Sequence, residues 1–245
     1  MKIDNALVST DWLADNLDNE NLRIFDTTLY LQPKEGGGGY DIESGLDNWS
    51  KSHIPGAGFL ELVSEFSDTT TDIPFTMLPA ERFAELAAQH GVSDDSLVVL
   101  YNDGVPMWST RTWWMFRSIG FDNVVVLDGG WQKWSREGLP VSDTDTPYPA
   151  GGSLTINPRP EMWVDKDDML RVMNEGGACS LNALAPEVYN GTLNNYGRAG
   201  HIPGSQNVFY GSLIDPDAGT FLPVEDLSER FRASGSLDPG PVVIY

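Results

Sequence analysis

The chain repeats itself, and this internal repetition restricts its fold more than any other feature of the sequence. Three pairs of segments recur in the same order: LRIFD at 22–26 with ACSLN at 178–182, HIPGA at 53–57 with HIPGS at 201–205, and VVLY at 98–101 with VVIY at 242–245. The offsets are 156, 148 and 144 residues, as expected for a duplicated domain with small insertions and deletions. The sequence therefore predicts two copies of one unit in tandem, at 1–145 and 161–245.

The first copy alternates short apolar strands with helices. The predicted strands lie at 22–26, 97–101 and 123–127, and the predicted helices at 79–90, 108–119 and 131–137. This order predicts an α/β fold in which each domain is a mostly parallel sheet flanked by helices. Right-handed crossovers would bring the loops that follow the strands to one edge of the sheet, where we expect the active site.

The two copies differ in extent. Residues 142–160 are rich in Pro, Gly, Ser and Thr, which predicts a linker between the domains, assigned to 146–160. The second copy begins with a helix near Asp165 and runs to VVIY at 242–245. The first copy continues past its matching strand with a helix, a strand and a helix. We therefore expect the second domain to be incomplete in this sequence.

Charge and hydropathy exclude several classes of partner. The chain carries 36 acidic and 15 basic residues, a net charge of −21. Because phosphate binding depends on clustered Lys and Arg, we expect neither nucleic acid nor an anionic membrane as a partner. No apolar run approaches the roughly 20 residues that span a bilayer, and the N-terminus lacks the apolar core of a signal peptide. We expect a cytoplasmic protein that acts as a monomer.

Metal and disulfide chemistry is not expected. The chain has one cysteine, Cys179, which cannot form an intrachain disulfide, and three histidines, His53, His90 and His201, that are far apart in sequence. The sequence predicts no metal site and no cofactor. Because Cys179 lies in an apolar strand-like stretch, it is interpreted as a small buried hydrophobic residue rather than a nucleophile.

A family resemblance follows from the motifs taken together. HIPGA and HIPGS, VVLYNDG at 98–104, STRTWW at 109–114 and VLDGGW at 126–131 are similar to the tandem-domain rhodaneses, the thiosulfate and 3-mercaptopyruvate sulfurtransferases. The resemblance implies two rhodanese-like domains, of which the first is catalytically silent and the second catalytic. It also implies a small anionic sulfur donor, with thiosulfate favoured over mercaptopyruvate, and cyanide or a thiol as the acceptor.

The resemblance places the nucleophile directly after the second VVIY strand. The catalytic cysteine is therefore expected to follow Tyr245, and the 245-residue chain itself is expected to be inactive. A loop that curls into a helix N-terminus points several N–H groups at one sulfur, which lowers the thiol pKa and stabilises a persulfide. The matching residue of the first copy is Asn102, which cannot act as this nucleophile.

Arg198, shortly before HIPGS, is the candidate for binding the anionic donor. A guanidinium suits sulfonate-like or carboxylate oxygens. The alternative is an arginine that braces the turn or lies on the surface. The second copy also has Asn182 where relatives have aspartate, and Leu184 and Val188 where many relatives have arginines. These departures leave the identity of the donor open.

Several other residues are expected to have structural rather than catalytic roles. His53 and His201 are expected to brace their turns rather than transfer protons. The run Gly36–Gly39 is read as a flexible loop that follows no strand and opens no helix, and Asp128–Gly130 as a strand-to-helix turn without a ligand. Four tryptophans are expected in the core: Trp113, Trp114, Trp131 and Trp134.

Two other functions remain open. Rhodanese folds without a cysteine serve as binding or regulatory modules, and phosphatases of a related fold have a longer active-site loop. The residue that follows Tyr245, and the length of the loop that it begins, would discriminate between these alternatives and the sulfurtransferase.

Overall fold

The computed structural model describes residues 2–34 and 39–245. The strands are β1 (Leu7–Val8), β2 (Leu22–Asp26), β3 (Leu29–Pro33), β4 (Tyr40–Ser44), β5 (Gly58–Phe59), β6 (Leu97–Tyr101), β7 (Val124–Leu127), β8 (Cys179–Asn182), β9 (Gln206–Asn207) and β10 (Val242–Ile244). The α-helices are α1 (Thr10–Asn16), α2 (Leu46–Trp49), α3 (Ala80–Gln89), α4 (Met107–Ser118), α5 (Gly130–Arg136), α6 (Lys166–Glu175), α7 (Pro186–Tyr189) and α8 (Val224–Arg232). The chain divides into a first unit, Met1–Tyr30 with Ile42–Pro160, and a second unit, Leu31–Asp41 with Glu161–Tyr245. Within the described residues, none of the helices is long and apolar enough to cross a membrane.

The first unit is built on a five-stranded sheet in the order β1-β7-β6-β2-β5, in which all neighbouring strands are parallel. The central strand β6 is buried along its whole length because its apolar residues are covered on both faces. Leu13 of α1 and Trp134 of α5 pack on one face. On the other face, Phe25 meets His90, which caps the end of α3. The predicted α/β fold, a mostly parallel sheet flanked by helices, is confirmed.

The second unit contains a parallel sheet in the order β10-β8-β9. Its helix α6 begins where the sequence predicts, because Asp165 caps the backbone N–H groups of Asp167 and Asp168 and Asp168 reciprocates. Helix α8 follows β9, and β10 pairs with β8.

The strands of the two units pair in the same register. The corresponding pairs are Arg23–Val98 with Cys179–Val242, Leu100–Phe25 with Ile244–Leu181, and Phe25–Gly58 with Leu181–Gln206. These pairs are related by the offsets of the sequence repeat: 156 for β2 and β8, 148 for β5 and β9, and 144 for β6 and β10. Each residue of the second sheet can therefore be compared directly with its counterpart in the first.

The segment predicted as a linker, 146–160, is bound to the first unit. The Tyr148 hydroxyl accepts a hydrogen bond from Ile24 N at 2.8 Å, and Thr155 N donates to the Asp94 carboxylate at 2.7 Å. Arg159 forms a two-pronged ion pair with Asp122, with both N–O distances at 2.7 Å. These contacts fix the segment as far as the boundary at Pro160.

One of the four tryptophans predicted in the core is not there. Trp134 is fully buried and Trp113 and Trp131 are half-buried, but the Trp114 side chain is 40% exposed. The buried face of α4 carries Trp108, Thr112, Met115 and Phe116, and Trp114 lies away from this stripe. The prediction that Trp114 lies in the core is therefore wrong, because the helical period places Trp114 off the buried face of α4.

The prediction that the glycine run follows no strand is also wrong. Strand β3 ends at Pro33 and β4 begins at Tyr40, so the run Gly36–Gly39 does follow a strand. The two strands form a two-stranded sheet that the sequence pattern did not predict. Of the run itself, 36–38 lie outside the described residues.

Candidate active site

The carboxyl edge of the second sheet is the expected position of the active site. Strand pairing continues one residue past β10, because Tyr245 N donates to Leu181 O and Ala183 N donates to Tyr245 O, both at 3.0 Å. The first unit makes the corresponding bond from Thr27 N to Tyr101 O at 2.9 Å. Tyr245 therefore lies beside Ala183, at the point where β8 gives way to a loop.

The HIPGS turn is attached to this edge through Tyr245. The Tyr245 hydroxyl accepts a hydrogen bond from Ile202 N at 2.8 Å and lies 2.7 Å from Ser205 Oγ. In the first unit, Tyr101 accepts from Ile54 N in the same way, at the longer distance of 3.4 Å. A phenol at the end of the strand thus anchors the turn in both units.

The histidines of the two turns have the same kind of partner, the backbone carbonyl of an aromatic residue. His53 Nδ1 lies 2.7 Å from Trp49 O and His201 Nδ1 lies 2.7 Å from Tyr189 O. Each ring stacks on the aromatic ring of that partner, with ring centroids 4.3 Å apart in the first unit and 3.8 Å apart in the second. This geometry is that of histidines that brace a turn.

Two side-chain amides, those of Asn182 and Asn207, meet at the end of β8. Asn182 is 2% exposed, and its Oδ1 accepts hydrogen bonds from Leu184 N at 3.0 Å and from Asn207 Nδ2 at 3.2 Å. Asn207 Nδ2 also lies 2.9 Å from Leu184 O and 3.1 Å from Asn182 O. The side chain of Asn207 therefore holds Asn182 and the loop that follows it in one arrangement.

The end of β2 in the first unit carries an acid instead. Asp26 is 5% exposed, and its Oδ1 accepts hydrogen bonds from Thr28 N at 2.7 Å and from the Thr28 hydroxyl at 2.5 Å. The Thr28 hydroxyl in turn accepts from Asp103 N at 2.9 Å. Burial raises the pKa of Asp26 from its ordinary value of 3.8 to about 7, against the opposing effect of the Thr28 hydrogen bonds.

In the first unit the position after the central strand is filled by Asn102, which is 1% exposed. Its Nδ2 donates to Asp103 O at 2.9 Å and Val105 O at 3.0 Å, and its Oδ1 accepts from the Ser109 hydroxyl at 2.8 Å. The side chain thus fills the centre of the loop between β6 and α4. An amide in this position has no nucleophilic chemistry.

Arg198 and Cys179 lie in different surroundings. Arg198 is exposed, and within residues 2–34 and 39–245 the structure shows no hydrogen bond or ion pair of its guanidinium. Cys179 is half-buried at the start of β8, and its Sγ lies 3.5 Å from Ser234 O. It pairs with Val242, three residues before Tyr245, or roughly 10 Å along the strand. The structure does not bring Cys179 to the carboxyl edge.

The family follows from a match over slightly more than half of the chain. The family model described as Rhodanese-like domain matches residues 9–137. The chain belongs to the rhodanese-like domain family. It is similar to the sulfur carrier protein TtuD of Thermus thermophilus, 28% identical over 98% of this chain and 81% of that protein. It is also similar to thiosulfate sulfurtransferase of Rattus norvegicus, 31% identical over 90% of this chain and 74% of that protein.

The fold agrees with this membership. The crystal structure of the 3-mercaptopyruvate sulfotransferase SseA from Escherichia coli matches with a TM-score of 0.84 and 27% identity, over 98% of this chain and 87% of that one.

In this rhodanese-family chain, the sequence motifs do not identify Asn207 as a site residue. Its position in β9, 148 residues after Phe59 in the repeat, was the only signal that could have paired it with Asn182. Among the described residues, no group of three or more His, Cys, Asp or Glu side chains is placed to hold a metal ion.

Proposed function

We propose that this rhodanese-family protein is a sulfurtransferase that moves a sulfane sulfur from a small anionic donor to cyanide or a thiol through a cysteine persulfide. Thiosulfate is the favoured donor and 3-mercaptopyruvate the alternative. The proposal includes a silent first domain at 1–145 and a catalytic domain that begins at 161. It also includes a cysteine directly after Tyr245 as the nucleophile, with Arg198 binding the donor.

The observation that carries the proposal is the equivalence of Tyr245 and Tyr101. Tyr101 ends β6 and Tyr245 follows β10 at the matching position, and both anchor a HIPG turn through the phenol. The residue that follows Tyr101 is Asn102, at the centre of a loop that opens α4. A cysteine at the equivalent point of the second unit would sit where backbone N–H groups and a helix N-terminus favour a thiolate.

The chemistry balances without an external oxidant or a metal. The thiolate attacks the outer sulfur of thiosulfate, the S–S bond breaks, and sulfite leaves with the bonding electron pair. Cyanide then attacks the outer sulfur of the persulfide, which releases thiocyanate and regenerates the thiolate. The protein's part is to stabilise the thiolate and persulfide and to bind the two anions in a strongly acidic molecule.

The proposal is tested by reading the gene past the codon for Tyr245 and, where it continues, expressing the product that it encodes. We expect turnover of thiosulfate and cyanide, and we expect mass spectrometry after thiosulfate alone to find one added sulfur atom on the cysteine that follows Tyr245. The control is Cys179→Ser, which should keep full activity because Cys179 lies at the opposite end of β8. An added sulfur on Cys179 would contradict the assignment, and protein with neither turnover nor persulfide would favour the binding module.

We expect Arg198→Ala to raise KM for thiosulfate about 10- to 100-fold with little change in kcat, because a charge-assisted contact is worth roughly 1.5–3 kcal/mol. The matched control is Arg230→Ala, which removes another exposed arginine, in the last turn of α8. Steady-state kinetics in parallel measure both. Equal KM values for the two variants would show that Arg198 lies on the surface or braces the turn and does not bind the donor.

A further inference from the structure

The two copies differ in length just before their HIPG turns. In the first unit, His53 Nδ1 contacts the carbonyl of Trp49, four residues earlier in the chain. In the second unit, His201 Nδ1 contacts the carbonyl of Tyr189, twelve residues earlier. The second copy therefore has a longer loop at this point, residues 190–200, and this loop contains Arg198.

The first copy has an insertion at a different point. Residues 27–45 separate β2 from α2, whereas 183–185 separate β8 from α7. The longer segment forms β3 and β4, and Leu31–Asp41 within it belong to the second unit rather than to the first. The insertion of each copy is therefore found in the same unit.

The two insertions meet at Tyr40. Asn195 Nδ2 donates a hydrogen bond to the Tyr40 hydroxyl at 2.6 Å, and the ring centroids of Tyr40 and Tyr196 are 6.2 Å apart. Tyr40 and Asn195 are half-buried, whereas 196–199 are exposed. Within the described part of the chain, the backbone of 194–200 forms no hydrogen bond with another backbone group. The side-chain contacts with Tyr40 consequently fix the tip of the loop.

The base of the loop is closed, and Tyr40 connects its tip to the carboxyl edge of the second sheet. A Cβ at Gly191, which has a φ of 83°, would lie 3.1 Å from Gly200 N, so the two ends of the loop meet. Burial raises the pKa of Tyr210, and the nearby Tyr40 phenol adds to this effect. Tyr210 N donates to Ala183 O at 2.9 Å, at the carboxyl edge.

We propose that Tyr40 is a positioning residue that holds the loop at 190–200 in the arrangement in which Arg198 binds a small oxyanion. The inference rests on the proposed role of Arg198 in binding the sulfur donor. A guanidinium on a mobile loop loses affinity because the loop must be ordered when the anion binds. The contact with Tyr40 removes part of this cost, since it orders the loop before the anion arrives.

The first test measures the order of the loop in the 245-residue chain. Tyr40→Phe keeps the ring but removes the hydroxyl that accepts the hydrogen bond. We expect trypsin to cleave after Arg198 about 2- to 10-fold faster, because the loss of one hydrogen bond raises the population of the open loop. The matched control is Tyr30→Phe, which removes the phenol of β3 that bonds to Asp103 and Asn48 and should leave this rate unchanged.

The second test measures binding of the anion. Thiosulfate is titrated into the same chain while the NMR signal of the Arg198 Nε–H group, assigned through Arg198→Ala, is followed. We expect Tyr40→Phe to raise Kd for thiosulfate about 2- to 10-fold. Asn195→Ala removes the other partner of the bond and should have the same effect. The double variant should bind no more weakly than either single variant, because both act through one contact.

Equal Kd values for the parent and the two single variants would overturn the inference, as would a parent in which thiosulfate leaves the Arg198 signal unchanged. Additive losses in the double variant would also contradict it, because the two side chains would then act separately. None of these measurements requires turnover. A protein in which Arg198 binds thiosulfate but no persulfide forms would contradict the proposed sulfurtransferase and leave the role of Tyr40 intact.

Discussion

Replacing Trp134 with alanine is expected to destabilise the first unit by about 3–5 kcal/mol, the range observed for large-to-small substitutions of buried aromatic residues. Trp134 is fully buried among residues of α1, β2 and β6, including Leu13, Ile24 and Tyr101. Its indole N–H donates to Pro140 O at 2.8 Å, so the substitution also removes a hydrogen bond. The loss should appear as faster hydrogen exchange of the β6 amides and as a lower denaturant midpoint.

Trp114→Ala is the matched control for this prediction. The two residues are of the same type and both lie on helices of the first unit, but Trp114 is 40% exposed. Its replacement should cost no more than about 1.5 kcal/mol, because less apolar surface returns to water. Equal losses for the two variants, measured in the same denaturation series, would show that the assigned core is wrong.

Asp26→Asn is expected to stabilise the protein at alkaline pH. The folded protein holds a proton on Asp26 up to about pH 7, whereas the unfolded chain releases it above about pH 4. Asp26 therefore makes stability fall as pH rises from about 4 to about 7, after which its effect is constant. Each unit of pKa shift corresponds to about 1.4 kcal/mol, so the variant should gain roughly 2–4 kcal/mol at pH 8 and little at pH 4.

The measurement is the difference in unfolding free energy between parent and variant across this pH range. The difference removes the contributions of other titrating groups that the two proteins share. Asp18→Asn, at an exposed position, controls for the change in net charge. Asn182 shows that the same backbone accepts an amide, so a pH-independent difference, or a loss of stability at pH 8, would contradict the burial of a neutral Asp26.

Much of the fold could be predicted because it depends on local patterns. The run LVVLY at 97–101 is apolar throughout and β-branched in part, which is sufficient to predict a buried central strand. Proline and acid at the start of α3, and the aspartates at the start of α6, predict where these helices begin. The pattern did not predict β3 and β4, since these strands are only partly buried and carry no clear alternation.

The sequence by itself determined the α/β architecture, the three repeat offsets and the family, since each is carried by segments that can be compared without knowing their neighbours. Only the tertiary structure decided what lies at the two strand ends. Burial in the folded chain raises the pKa of Asp26 to about 7. Asn207 reaches Asn182 only because β9 pairs with β8 in one register. Electrostatic environment depends on distances through space, and residues 25 positions apart in the chain acquire a fixed distance only when the sheet forms.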